Sequence, residues 1–256
     1  ENYTENLEKK VEERTLQLTE ALAVEKELNE LKTRFLSLVS HEFKTPLSSI
    51  LTSITLLGKY TQTDQQPKRD KHVATIKSKV KYLDTILTDF LSVERLESGK
   101  VNYKVEEFPL SKIVNEVVYN SNMLLKSGQQ IHYPENIDEL NINFDEKTLE
   151  LALSNLIHNA IKYSPEDTTI TIKVTLNDTN IIISVIDQGI GIPQEEQKHI
   201  FNRYFRAENA LLTQGTGIGL NIAKQHMENL GGSLEFTSKI GVGSTFTLSI
   251  PNLKTS

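Results

Sequence analysis

The first glycine of this 256-residue chain is Gly58, and everything before it reads as one helix running to about residue 60. A helix of that length cannot fold back to cover its own apolar stripe, so the stripe needs a partner. Leu7, Val11, Leu18, Ala21, Val24, Leu28, Leu31, Phe35 and Leu38 recur at three- and four-residue spacing, surrounded by Lys9, Lys10, Glu12, Glu13 and Arg14. The pattern predicts a coiled coil, with a phase slip near Ala21 to Glu25 where a break in the heptad can store or relieve twist. Pro46 falls inside the pattern and is expected to bend the helix, because proline lacks a donor and clashes with the preceding turn.

A polar turn at 61–67 separates this helix from a second one. There Val73, Ile76, Val80, Leu83, Ile86 or Leu87, Phe90 and Leu91 follow helical spacing, and Ser98-Gly99 is a suitable stop. Two amphipathic helices joined by a short loop form a hairpin with little core of its own. A homodimer closing a four-helix bundle is therefore expected. On a helical wheel Leu28, Leu31, Phe35, Leu38, Val39, Phe43, Ile50 and Leu57 share one side, and His41 lies roughly 160° from its centre. A core histidine would sit within the apolar arc, so His41 should face water. Thr45, four residues on, shares its face.

After Gly99 the character changes, which puts a boundary near 99–105 and predicts three parts: a signalling coiled-coil helix at 1–30, a helical hairpin at 31–100 and a second domain at 101–256. In the second domain, strands are expected at Val101 to Phe108, Ile131 to Tyr133, Ile142 to Phe144, Ile170 to Leu176, Ile181 to Ile186, Leu234 to Thr237 and Thr245 to Ile250. A turn is expected at 177–180. Helices are expected at Leu110 to Leu125, at Thr148 to Tyr163 with Asp145 as N-cap, and at Ile218 to Leu230. Helices and hairpins in mixed order predict an α/β sandwich, one sheet against one layer of helices.

Four stretches of this domain have the residue types for a nucleotide pocket. Asn155 and Asn159 lie one turn apart, so their amides share a helix face with Lys162 close by. An amide oxygen suits magnesium and an ammonium suits phosphate. Asp187-Gln188-Gly189-Ile190-Gly191 follows an apolar strand. A carboxylate there can accept a hydrogen bond from an adenine amino group, and the glycines permit close backbone approach. Gly215-Thr216-Gly217-Ile218-Gly219 opens a helix whose free N–H groups favour phosphate, without the lysine of a Walker loop or the parallel unit of a dinucleotide fold. Gly241-Val242-Gly243 reads as a hairpin turn. Between the second and third stretches, residues 200–214 read as a mobile lid carrying Phe201, Tyr204, Phe205 and Arg206.

There are no cysteines, which excludes disulfides, thiolate metal sites and thiol nucleophiles. A formal charge of −6 gives no basic surface for nucleic acid. No run approaches the ~20 apolar residues of a membrane span, and no signal peptide is visible. The chain starts inside a helical pattern without methionine, so it is expected to be the cytoplasmic, soluble part of something longer.

Taken in order, His41-Glu42-Phe43-Lys44-Thr45-Pro46-Leu47, the Asn155/Asn159 helix, Asp187-x-Gly-x-Gly, Phe201 to Arg206 and Gly215-Thr-Gly-Ile-Gly strongly resemble the sensor histidine kinases of two-component systems. Tyr204 departs from the phenylalanine usual in that family. The resemblance implies a dimerisation and histidine-phosphotransfer hairpin followed by a Bergerat-type ATP-binding domain. It implies His41 as phosphoacceptor, Glu42 as its hydrogen-bonding or proton-relaying neighbour, and Thr45 as a residue orienting water for removal of phosphate from the partner. Asn159 would hold Mg2+ with Asn155 assisting, and Lys162, Tyr163 and Arg206 would line the phosphate end of ATP. Asp187 would read adenine, while Gly189, Gly191, Gly215, Gly217 and Gly219 shape the pocket and the lid hinges. The implied partners are a second copy of the chain, the receiver domain of a response regulator and a sensor domain N-terminal to residue 1. A Bergerat ATPase that hydrolyses ATP or phosphorylates serine would account for the second domain but not for His41, and a silent scaffold would account for neither set of motifs.

Overall fold

The computed structural model describes residues 2–134, 137–177, 179–211, 213 and 215–252. A long helix α1 (Asn2–Leu57) is continuous through Pro46. A short 3₁₀ turn, Thr63–Gln65, leads into α2 (Gln66–Glu97), where Pro67 occupies the first turn, a position at which its missing N–H costs nothing. Gly99, at φ +63°, follows the end of α2. The hairpin is fastened near its turn: Tyr60 stacks on His72, and His72 Nδ1 lies 3.4 Å from the hydroxyl of buried Ser53.

Within one chain the hairpin leaves much apolar surface uncovered. Leu47, Leu51 and Ile54 on α1 are more than half exposed, and Val73, Val80 and Leu87 repeat at heptad spacing along an exposed side of α2. Val11 and Leu18 of the expected coiled-coil seam are also exposed. The side chains of Leu7, Val24, Leu28, Leu31, Phe35 and Leu38 lie outside the described residues.

The chain divides into two compact units, 1–83 and 84–256. The division falls inside α2, upstream of the 99–105 boundary expected from composition, because the last turns of the helix are apolar on the side facing the second unit. Val93 is buried against Ile218 and Ile222, with Leu96 and Tyr204 beside them.

The second unit holds β1 (Val105–Pro109), α3 (Leu110–Asn122), β2 (Gln130–His132), β3 (Asn141–Asp145), α4 (Glu146–Tyr163), β4 (Thr169–Leu176), β5 (Asn180–Ile186), α5 (Gly219–Asn229), β6 (Ser233–Lys239) and β7 (Gly243–Pro251). Two sheets form where one was expected. A five-stranded sheet has the order β2-β4-β5-β7-β6, antiparallel except for the β2–β4 pair, and β1 pairs only with β3. Residues 101–104 do not extend β1 as the sequence pattern suggested. Their groups are taken elsewhere: Lys104 N–H donates to Asp145 and the Tyr103 hydroxyl meets His226.

Alternation decides which face of the sheet is core. Ile181, Ile183 and Val185 of β5, with Phe246, Leu248 and Ile250 of β7, are buried, while Ile182, Ser184 and Ile186 are half-buried on the opposite face. Leu149, Leu153, Leu156 and Ile157 of α4 pack into the same cluster at three- and four-residue spacing and are almost fully buried. Each such side chain contributes about 1.5–3 kcal/mol of burial. The face of α4 that carries the asparagines is thereby fixed relative to the end of β5.

Candidate functional site

Both ends of α4 are tied by side chains distant in sequence. At the N-terminus the Asp145 carboxylate accepts from Thr148 N–H at 2.8 Å and from Lys104 N–H at 2.6 Å. Burial alone would raise its pKa; the backbone bonds outweigh it and hold the carboxyl below the ordinary value. At the C-terminus Lys126 Nζ donates to the carbonyls of Lys162 at 2.8 Å and Ser164 at 2.6 Å. Buried Gln129 donates from Nε2 to the carbonyls of Ile161, Ser164 and Pro165. Carbonyls that a helix end leaves without partners are thus satisfied, with a cation at the negative end of the dipole.

Asn155, Asn159, Lys162 and Tyr163 of α4 line a pocket together with Asp187, Gly191, Arg206, Gly215, Gly217 and Gly219. The Asn155 amide donates to Leu151 O at 3.0 Å, which turns its oxygen toward Gly219, where an added Cβ would lie 2.3 Å from it. Lys162 Nζ sits 4.6 Å from the Tyr163 ring centre and 2.5 Å from where a Cβ on Gly215 would be. A side chain at either glycine would collide with a pocket residue, so bare backbone at the start of α5 is a packing requirement.

Asp187 stands at the end of β5, a central strand. Its Oδ1 accepts from Gly189 N–H at 2.8 Å and Ser244 N–H at 3.1 Å. Burial raises its pKa, and those two bonds pull the other way. The Gly241-Val242-Gly243 turn is the β6–β7 connection, as its sequence suggests, but it also supports the pocket: Gly243 lies against the Asp187 carbonyl, and Ser244 and Phe246 line the cavity. Gly191, at φ +66°, leaves its missing Cβ 2.1 Å from Lys239 O.

The lid joins the pocket through Phe205, Arg206, Asn209 and Ala210. The Arg206 guanidinium donates to the carbonyls of Ala210, Leu211 and Thr213, so it organises the lid backbone as well as facing the cavity. Tyr204, at φ +65°, and Gly217, at φ +70°, are joined by Tyr204 N–H to Gly217 O at 3.0 Å, which brings the two ends of the lid together. Asn209 donates to Gly191 O at 2.9 Å. Gln214, the last residue of the expected lid, lies outside the described residues.

Sequence patterns gave no sign of Asp89. It lies on α2, lines the pocket and accepts from the Thr216 hydroxyl at 3.0 Å, and burial raises its pKa against that bond. A single carboxylate among charged helix positions has no local signature. Its role arises only because the end of α2 packs on α5. Arg203, paired with Glu97 and bonded to Asn221 Oδ1 at 3.2 Å, fastens the same contact.

In the first unit His41 and Thr45 are both exposed, as the wheel requires, and the Thr45 hydroxyl donates to His41 O at 3.2 Å. Glu42 is half-buried, and its carboxylate accepts from the Tyr82 hydroxyl on α2.

Residues 31–99 match the family model "His Kinase A (phospho-acceptor) domain", and residues 144–254 match "Histidine kinase-, DNA gyrase B-, and HSP90-like ATPase". The chain belongs to the histidine kinases. The second matched model makes residues 144–254 of the kinase an ATP-binding domain. Among relatives, the circadian input-output histidine kinase CikA of Synechococcus elongatus is 30% identical over 98% of this chain and 34% of its own length. The sensor-like histidine kinase SenX3 of Mycolicibacterium smegmatis is 32% identical over 85% of this chain and 56% of its own. The kinase thus spans between a third and somewhat over half of these relatives. Among solved structures, the catalytic domain of histidine kinase ThkA superposes with TM-score 0.51 at 29% identity, over 58% of this chain and 95% of that one. The Acinetobacter baumannii histidine kinase AdeS shares the fold with TM-score 0.62 at 20% identity, over 84% and 98%. No helix among the described residues is long and apolar enough to cross a membrane.

Proposed function

We propose that this kinase core transfers the γ-phosphoryl group of ATP to His41 and then to an aspartate on the receiver domain of a separate response regulator. The observation that carries the reading is the exposed His41 within the phospho-acceptor match, on a chain that also supplies the nucleotide pocket around Asn159 and Asp187. One imidazole nitrogen attacks the γ-phosphorus, the bond from that phosphorus to the bridging oxygen breaks, and ADP leaves with the electron pair. Glu42 holds the proton on the other ring nitrogen, keeping the attacking lone pair available. Reaction of this kind depends on positioning and charge neutralisation rather than on covalent chemistry by the protein.

In the pocket, Asp187 accepts from the adenine amino group, and Lys162 and Arg206 face the phosphates. The free N–H groups at the start of α5 add a positive dipole end. Mg2+ fits the donor set: the oxygens of Asn159 and Asn155 are hard neutral ligands, and magnesium completes its shell with water and phosphate oxygens. Bound there it would neutralise charge on the phosphates. Among the described residues no cluster of three or more histidines, cysteines or carboxylates competes for a metal.

The uncovered apolar faces of α1 and α2 support a homodimer closing a four-helix bundle. A sensor preceding residue 1 would act on that bundle through α1. Thr45, beside His41, would orient water when the same site removes phosphate from the regulator. Incubation with labelled ATP and Mg2+ should give acid-labile, alkali-stable label that disappears in His41→Gln and falls sharply in Asn159→Ala. Label that survives His41→Gln would sink the assignment.

A further inference from the structure

The pocket is lined by two carboxylates, and the chemistry proposed above uses only Asp187. The other, Asp89, enters from α2 on the stripe that also carries Val93 and Glu97, four and eight residues on. Val93 packs on Ile218 and Ile222, and Glu97 pairs with Arg203. Asp89 is half-buried, and its Oδ2 accepts from the Thr216 hydroxyl at 3.0 Å. The Thr216 oxygen in turn accepts from Ile218 N–H at 3.4 Å, directly ahead of α5. A negative charge is thus bonded into the Gly215-to-Gly219 stretch that opens α5, where the helix dipole is positive and N–H groups lack helical partners. That is the part of the pocket best suited to an anion, and an anion from the protein already stands there. Burial raises the pKa of Asp89 while the Thr216 bond opposes the rise, so the charge is held at a cost.

We infer that Asp89 is a specificity-determining residue that competes with the phosphates of the nucleotide for the start of α5. Its carboxylate takes the place of phosphate while the end of α2 is docked on α5, and an incoming triphosphate must overcome its charge. The inference rests on the proposed placing of the triphosphate at Lys162, Arg206 and the start of α5. It adds that the end of α2 is a competitor for the site rather than a passive wall. The penalty grows with the charge of the ligand, because like charges repel in proportion to their product and a partly buried pocket screens them less than water does. ATP meets it most, ADP less, and neutral adenosine not at all.

Asp89→Asn removes the charge at nearly constant shape and keeps an oxygen for Thr216, so the melting temperature should hold or rise. Calorimetry of the full chain with Mg2+ should show a non-hydrolysable ATP analogue binding roughly tenfold tighter than to the parent, the equivalent of about one pKa unit of charge interaction. The gain should be smaller for ADP, absent for adenosine, and should shrink as salt is raised. Asp89→Glu, which keeps the charge, should show no gain. Binding of the ATP analogue that is unchanged or weaker in Asp89→Asn would overturn the inference, as loss of a magnesium ligand would make it. A gain of equal size for adenosine would also overturn it, since shape and not charge would then be responsible. If Lys162→Met bound the analogue as tightly as the parent, the placing of the triphosphate would fall, and the inference with it.

Discussion

Replacing Asp145 should weaken the nucleotide domain by an amount that can be worked out from its two bonds. Asp145 is 6% exposed, and its side chain accepts from Thr148 N–H, as the cap of α4, and from Lys104 N–H, where the chain arrives from α2. Asp145→Ala loses the cap, worth about 1 kcal/mol. It also leaves the Lys104 N–H without its partner, which costs about 1–3 kcal/mol. The sum of about 2–4 kcal/mol corresponds to a drop of roughly 5–15 °C for a unit of this size. Asp145→Asn can keep one acceptor for Thr148 but loses the charge, and should fall between the two.

The same carboxylate gives a pH signature. Its folded pKa lies below the unfolded value, so its contribution is fully present above the unfolded pKa and is lost as pH falls through the folded one. The stability gap between the parent protein and Asp145→Asn should therefore be constant from about pH 7 to 5 and close below about pH 4. Calorimetry of the full chain, following the transition of the second unit, measures both effects. A gap that stays level down to pH 3, or an Asp145→Ala protein melting with the parent, would refute the reasoning.

His226, buried beside Tyr103, has its pKa lowered by burial against the opposing charge of Asp145. The unfolded state therefore takes up a proton first as pH falls, and stability should decline from about pH 7 to 5 less steeply in His226→Gln than in the parent, as urea titrations at each pH would show. Gly191→Ala places a Cβ on the Lys239 backbone, which cannot rotate away, at a left-handed φ; it should lose at least about 2 kcal/mol in denaturant titration and weaken binding of an ATP analogue measured by calorimetry. Gln129→Ala withdraws the buried donor from the carbonyls of Ile161, Ser164 and Pro165, and should lower thermal stability by the equivalent of about 1–3 kcal/mol.

The helices and the N-cap at Asp145 were legible because a 3.6-residue period and a capping carboxylate are local signals. Strands β3 to β7 were legible nearly to their ends for the same reason. The split into two sheets was not, since it depends on which strand finds which: residues 101–104 have strand-like composition, yet Lys104 and Tyr103 are engaged by Asp145 and His226. The parallel β2–β4 pairing likewise leaves no trace in three residues of β2. At the site, the glycine-rich and asparagine stretches came together in one pocket, each being a short motif with its own backbone demands. Asp89 was missed because it reaches the pocket across a packing of helices that has no periodic signature.

The pocket is built of two materials. Its Asp187 end is set in a central strand, braced by Gly189, Ser244 and Gly243, while its Arg206 end hangs on lid carbonyls and a 3₁₀ turn. On the proposed assignment a ligand that mimics adenine alone meets a half-site already in shape and loses little entropy by reorganising it. One that mimics the triphosphate would draw on Arg206, which the lid carbonyls of Ala210, Leu211 and Thr213 hold, and so would move the lid as it binds. Competitive inhibitors should therefore divide kinetically, with base-sized compounds associating fast and phosphate mimics slowly, whatever their final affinities.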